Sequence, residues 1–168
     1  DVSFPATSSG TGFDKSAFAG TTHATELGDD SCLDCHLPHG SVNRALLAGK
    51  YVVADSNNRT SGDYAACWSC HSSSTILNSS DAFDEYHDRH VIDEDLTCAE
   101  CHDVHGGYDS AEPGLINFAY AVNNSWWINI PGSQTLSSAF QVNSSTGVGS
   151  CAITCHGENH NGDTYGGN

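Results

Sequence analysis

The chain has 168 residues, 38% of them hydrophobic, with 17 glycines and a formal charge of −16 from 5 Lys and Arg against 21 Asp and Glu. Its length fits one ordinary domain, but so polar a composition predicts a thin apolar core and many loops. The charge argues against nucleic acid or an anionic membrane surface as partner, since few cations are available to meet phosphates. No stretch reaches the roughly 20 apolar residues of a membrane span.

Asp1 opens the chain without a basic or apolar leader, as expected of a mature form from which a signal has been removed. Residues 1–22 are Gly, Ser and Thr-rich with scattered Phe4, Phe13 and Phe18, which predicts an extended arm. The rest, residues 23–168, is expected to form one domain built from two pseudo-repeat halves, 23–80 and 81–161. Asn43–Gly49 predicts a short helical turn ending at glycine. Ser56–Gly62 reads as a loop. Asp81–His90 reads as a short helix with His87 and His90 on one face. Leu115–Val122 and Ser125–Ile130 are rich in strand formers and predict a small hairpin. Residues 132–150 read as a loop, and the tail Gly162–Asn168 as flexible.

The chemistry lies in a recurring pentapeptide. Cys-x-x-Cys-His occurs at Cys32, Cys35 and His36, at Cys67, Cys70 and His71, and at Cys98, Cys101 and His102. A fourth copy, Cys151, Cys155 and His156, carries one extra residue. This is the attachment pattern of c-type haem: two thiols bond the two vinyl groups of one porphyrin, and the following histidine ligates the iron. Paired cysteines also bind zinc, but zinc does not require a histidine directly after each pair. All 8 cysteines belong to the four motifs, so none is left for a separate disulfide. The expected fold class is a multihaem c-type cytochrome, mostly coil with short helices and a small hairpin, wrapped around four covalently attached haem c groups. Such attachment is made outside the cytoplasmic membrane, so the expected location is the periplasm, the cell surface or beyond.

Of 10 histidines, six are not motif histidines: His23, His39, His87, His90, His105 and His160. Methionine is absent, which excludes His/Met ligation. Bis-histidine ligation at every iron is the economical reading; it leaves no open position for a substrate and points to electron transfer, not an enzyme. The first and third motifs share a plan of His, spacer, motif and His-Gly: His23 to His39-Gly40, and His90 to His105-Gly106. That repeat favours His39, His90 and His105 as distal ligands, then His87 and His23, with His160 last.

The run from His87-x-x-His90 through the third motif to His105-Gly106, then Leu115–Phe118, then Cys151 to Asn161, resembles the multihaem cytochromes of prokaryotic extracellular nanowires. The tetrahaem OmcE-like subunits are the nearest type. The resemblance covers motifs from about His23 to Asn161. It implies a loop-rich fold, haems in a continuous stack, and polymerisation of the chain with copies of itself into a helical, conductive filament. It also implies that one iron takes its distal histidine from the next subunit, His39 by position, with His23 as the fallback. Other partners would be redox proteins or extracellular electron acceptors. A soluble periplasmic shuttle is the alternative.

Overall fold

In the computed structural model, the residues described are 18–19, 21–27, 32–52, 60–77, 86–105, 116, 118, 128–130, 138–143, 145–146 and 148–165. The contacts divide the chain into two compact units, Glu26–Cys98, and Asp1–Thr25 with Ala99–Asn168. The division falls inside the third motif, not at the junction of the pseudo-repeat halves. Regular structure is short throughout the described residues, as the composition predicts: helical turns as far as Cys101 and short strands from Ile128 onward.

The helical turns are α1 (Thr22–Leu27), α2 (Cys32–Cys35), α3 (Ala65–Trp68), α4 (Ser73–Ile76), α5 (Tyr86–Asp88) and α6 (Cys98–Cys101). Thr21 starts α1, its Oγ1 accepting from the Ala24 N–H at 3.2 Å, a helix-start role suited to threonine. Ser72 does the same for α4, accepting from Thr75.

In unit Glu26–Cys98, the segment after the first motif folds back on it. Leu47 bridges His36 antiparallel, the Leu37 N–H donates to the Leu46 carbonyl at 2.7 Å, and the Ala48 N–H donates to that of Cys35 at 2.8 Å. The expected helical turn is therefore a single 3-10 turn, Arg44–Leu46, with Ala45 and Leu46 at φ 54 and 58. Left-handed backbone costs a non-glycine residue about 1–2 kcal/mol, and these hydrogen bonds to the motif hold it there. Gly49 does not serve as a helix cap. It lies so close to Ala65 and Ala66 that a Cβ on it would sit 2.5 Å from the Ala66 nitrogen.

Residues 50–52 then run beside the approach to the second motif. The Ala66 N–H donates to the Lys50 carbonyl, the Val52 N–H to that of Asp63, and the Lys50 ammonium meets Asp63 at 2.6 Å. Thr60 and Asp63 cap the turn Ser61–Tyr64 reciprocally. Hydrogen bonds from Lys50 and the Thr60 backbone hold the Asp63 carboxyl below its ordinary range.

Tyr64, fully buried, anchors this unit with Leu77 and Val91; Tyr51, Trp68, Ile76, Ile92, Cys67 and Cys98 pack around them. Trp68 meets the Tyr64 ring edge-on at 6.3 Å, so it serves packing. The Tyr64 hydroxyl donates to the Leu96 carbonyl at 3.0 Å. Burying such an aromatic contributes about 3–5 kcal/mol as read from truncation. The predicted helix before the third motif is described from Tyr86 only; α5 continues as a π-helical turn, Arg89–Asp93.

Among the described residues, the other unit holds two three-stranded antiparallel sheets. Strands β1 (Ile128–Asn129), β4 (Thr154–Cys155) and β5 (Glu158–Asn159) lie in the order β1-β4-β5; β2 (Phe140–Val142), β3 (Gly149–Cys151) and β6 (Asp163–Tyr165) lie in the order β2-β3-β6. Two sequence expectations are corrected here. Residues 140–142 and 149–150 are strand, not loop, and the tail is ordered as far as Tyr165, because Tyr165 is buried and β6 pairs with β3. Strands this short carry too little alternation to be read from sequence.

Of the predicted hairpin, Ile116, Phe118 and residues 128–130 are described. Ile116 bridges His102, and Ile128–Asn129 pairs with Cys155–Thr154. Both partners belong to or adjoin the Cys-His motifs. The arm, apart from residues 18–19 and 21–22, lies outside the described residues.

Candidate functional site

The first three motifs are built on helical turns. Cys32 and Cys35 bound α2, Cys67 sits in α3 with Cys70 just beyond it, and Cys98 and Cys101 bound α6. Residues three apart on a turn project from one face, so both sulfurs of each pair are presented to one side. The fourth motif is built differently. Cys151 ends β3, Cys155 lies in β4, and each strand belongs to a different sheet. His156 and Gly157, at φ 49 and 89, make the two-residue turn between β4 and β5, the backbone of the tightest hairpins.

All eight cysteines are free thiols: Cys32, Cys35 and Cys70 exposed, Cys67, Cys98, Cys101 and Cys151 partly buried, Cys155 buried. Within Glu26–Cys98, the first and second motifs are close enough to interact. Burial, and then the charges of Cys70, Asp34, Cys67 and Cys32, push the Cys35 thiol up. A hydrogen bond from Cys98 draws the Cys67 thiol down against the effect of burial. In the other unit, Cys101 is raised well above a free thiol by burial and then by Cys155, Glu100 and Cys151. Cys155 reaches about 12 through burial, Glu100 and Cys151. Cys151 reaches about 11 through burial, with Tyr165 donating to its sulfur in opposition. Within Glu26–Cys98 the second motif thus neighbours the first and Cys98, and within the other unit the fourth motif neighbours Cys101.

The motif histidines differ in setting. The His36 Nδ1–H donates to the Ala45 carbonyl at 2.7 Å. This fixes the tautomer with its lone pair on Nε2, as backbone carbonyls do for metal-bound histidine. His71 is exposed; His102 is partly buried and bridged by Ile116. His156 directs Nε2 to Glu100 at 2.8 Å, and that carboxylate is 1% exposed. Glu100, Cys155 and His156 bring ligand atoms within 4.8 Å of one another.

Glu100 was not singled out from the sequence. The signal was there: the first and third motifs both carry an acid before the second cysteine, Asp34 and Glu100.

Among the distal candidates, His90 donates through Nδ1 to the Tyr86 carbonyl at 2.7 Å. The His105 ring lies 6.2 Å from that of Phe18, and the His105 backbone N–H donates to the Asp103 carboxylate at 3.0 Å. His23 and His87 are partly buried, and His39 is exposed. His160 shares its Nδ1 with Asp163 at 3.1 Å and the Tyr165 hydroxyl at 3.2 Å.

These residues fit haem at the first motif. Its cysteines are exposed, His36 is set in the coordinating tautomer, and Leu33, Leu37 and Leu46 nearby are 56%, 43% and 43% exposed. Leucines left in water around a thiol pair are what an apolar porphyrin would cover. At the fourth motif, His156 must leave Glu100 before its Nε2 can meet an iron.

A family model for a doubled CXXCH motif matches residues 23–75. The matched stretch holds the first two motifs together with His23 and His39. Neither the curated proteins nor the solved structures provide a match. The doubled motif supports a multihaem c-type cytochrome, an electron-transfer protein with covalently bound haem c. Among the described residues, no helix is long and apolar enough to cross a membrane.

Proposed function

We propose that this chain is a tetrahaem conduit whose four motifs each hold one haem, and that it polymerises into an extracellular conductive filament. The observation that carries the conduit is the nearness of attachment points: Cys35 within electrostatic reach of Cys67 and Cys70, Cys67 hydrogen-bonded by Cys98, and Cys101 within electrostatic reach of Cys151 and Cys155. Bound haem supplies a one-electron couple; the chain sets the separation of neighbouring couples through these cysteines. Six spare histidines for four irons favour bis-histidine ligation, and with it a carrier, not an enzyme.

Polymerisation is supported by the first motif, where His39 is exposed among exposed Leu37, Val42 and Leu46. A ligand given to a neighbouring subunit must be reachable, and apolar side chains around it would be covered by the same contact. His39 stands three residues after His36, too near to reach the far face of its own haem. It therefore serves another iron.

Electron microscopy of the purified holoprotein tests the reading, with His39→Ala beside it. Long thin filaments from the wild type are expected. The variant should retain four haems by mass, lose or shorten its filaments, and gain a high-spin signal at one iron. Monodisperse wild-type particles would make the protein a soluble periplasmic shuttle instead. Normal low-spin filaments from the variant would remove His39 from the junction and make His23 the next candidate.

A further inference from the structure

The last-ranked of the spare histidines has surroundings that its sequence position does not suggest. His160 lies in a glycine-rich segment, yet the fold places it tightly. Its N–H donates to the Ile153 carbonyl at 2.9 Å, and the Asp163 N–H donates to the His160 carbonyl at 3.1 Å. The Gly162 N–H donates to the Cys151 carbonyl, and Asp163 stands opposite Cys151 in the β3–β6 register. The backbone on either side of His160 is thus fastened to the fourth motif.

The ring is held as firmly. Nδ1 is 3.1 Å from an Asp163 carboxylate oxygen and 3.2 Å from the Tyr165 hydroxyl. Tyr165 is buried. An ionised carboxylate can only accept, so Nδ1 is the protonated nitrogen and the lone pair lies on Nε2. A carboxylate on Nδ1 is the usual support of a metal-bound imidazole; it fixes the tautomer and raises ligand basicity. His36 and His90 show the same device with backbone carbonyls, and His36 is a motif histidine.

We propose that His160 is an axial iron ligand, held in its coordinating tautomer by Asp163 and Tyr165. The iron belongs to a motif other than the fourth. That iron takes His156, and three intervening residues cannot carry His160 round to its opposite face. The inference rests on the bis-histidine reading and adds His160 to the distal set. The competing role is an ordinary surface ion pair, since the Asp163 side chain is 54% exposed.

The test uses the holoprotein with its haems counted by mass, and three ferric spectra. The wild-type spectrum examines the bis-histidine reading by itself: a high-spin fraction there would defeat that reading whatever the variants do. His160→Ala should turn one haem high-spin. His160→Met guards against replacement by a spare histidine and against a loss of packing. It should stay low-spin, gain the long-wavelength band of methionine-ligated ferric haem, and raise the potential of one haem, as methionine ligation does. Either signature, with a low-spin wild type and all haems attached, supports the proposal. A fully low-spin alanine variant together with a methionine variant lacking both band and potential shift would leave His160 a surface residue and overturn it.

Discussion

The first three motifs and the fourth present the same atoms on opposite kinds of scaffold. In the first three, a single helical turn brings two cysteines to one face, and little else is needed. In the fourth, Cys151 and Cys155 are delivered by strands of two sheets, and His156 is the corner of a hairpin. A helical turn is a local solution and survives changes nearby. A motif assembled from β3 and β4 depends on pairing with β1, β2, β5 and β6, so its geometry is a property of the whole unit. The extra residue of the fourth copy belongs to this difference: Ile153 lies between the two strands, is 4% exposed, and its carbonyl accepts from His160.

Removing Ile153 should break the comparison most severely. The deletion makes the fourth copy a regular Cys-x-x-Cys-His, but a one-residue slip turns every side chain of the strand to the other face. The expected outcome is loss of the fourth haem with the first three retained, read as a mass deficit of one haem. A full complement of haems would mean that this motif is as local as the others.

The thiols should separate next, in the haem-free chain. Cys155 is pushed up to about 12 from 9.0, by burial first and Glu100 second, whereas the Cys98 hydrogen bond draws Cys67 below 9.0. Alkylation followed by mass spectrometry across pH should therefore label Cys67 before Cys155. The folded unit keeps the Cys155 proton where the unfolded chain releases it. This contribution to stability is therefore intact below pH 9.0 and lost as pH rises towards about 12. Glu100→Gln should move Cys155 labelling to lower pH. Equal labelling of the two cysteines near pH 9.0 would show that the β unit does not form without haem.

The smallest effect is expected at Gly157. Its φ of 89 belongs to the left-handed region, so Gly157→Ala should cost about 1–2 kcal/mol, although nothing lies within 4 Å of the added Cβ. Thermal unfolding would measure this, and an unchanged midpoint would show that the β4–β5 turn relaxes freely.

Much of the candidate site was legible because its chemistry is written in short spacings. Two cysteines three residues apart and a following histidine need no tertiary information to be recognised. The plan shared by the first and third motifs also has a structural counterpart: His36 is bridged by Leu47, and His102 by Ile116, each a later residue folding back on the motif. Distal ligands are another matter. The repeat ranks His160 last, and nothing in a Gly-rich tail signals that Asp163 and Tyr165 will close on its ring. Glu100 escaped notice for a similar reason: its partner, His156, is 56 residues away.

The sequence by itself determined which atoms can hold haem, the surplus of histidine, the absence of methionine and the acidity that argues against phosphate-bearing partners. These are matters of composition and of neighbours within a few residues. The tertiary structure alone decided that three motifs are helical and one is β, that Tyr64 reaches Leu96 within its own unit, and which thiols lie near one another. Those outcomes depend on contacts between residues far apart in the chain. Such contacts are chosen by burial and hydrogen-bond satisfaction over the whole unit, and strands of two or three residues carry no periodicity from which to foresee them.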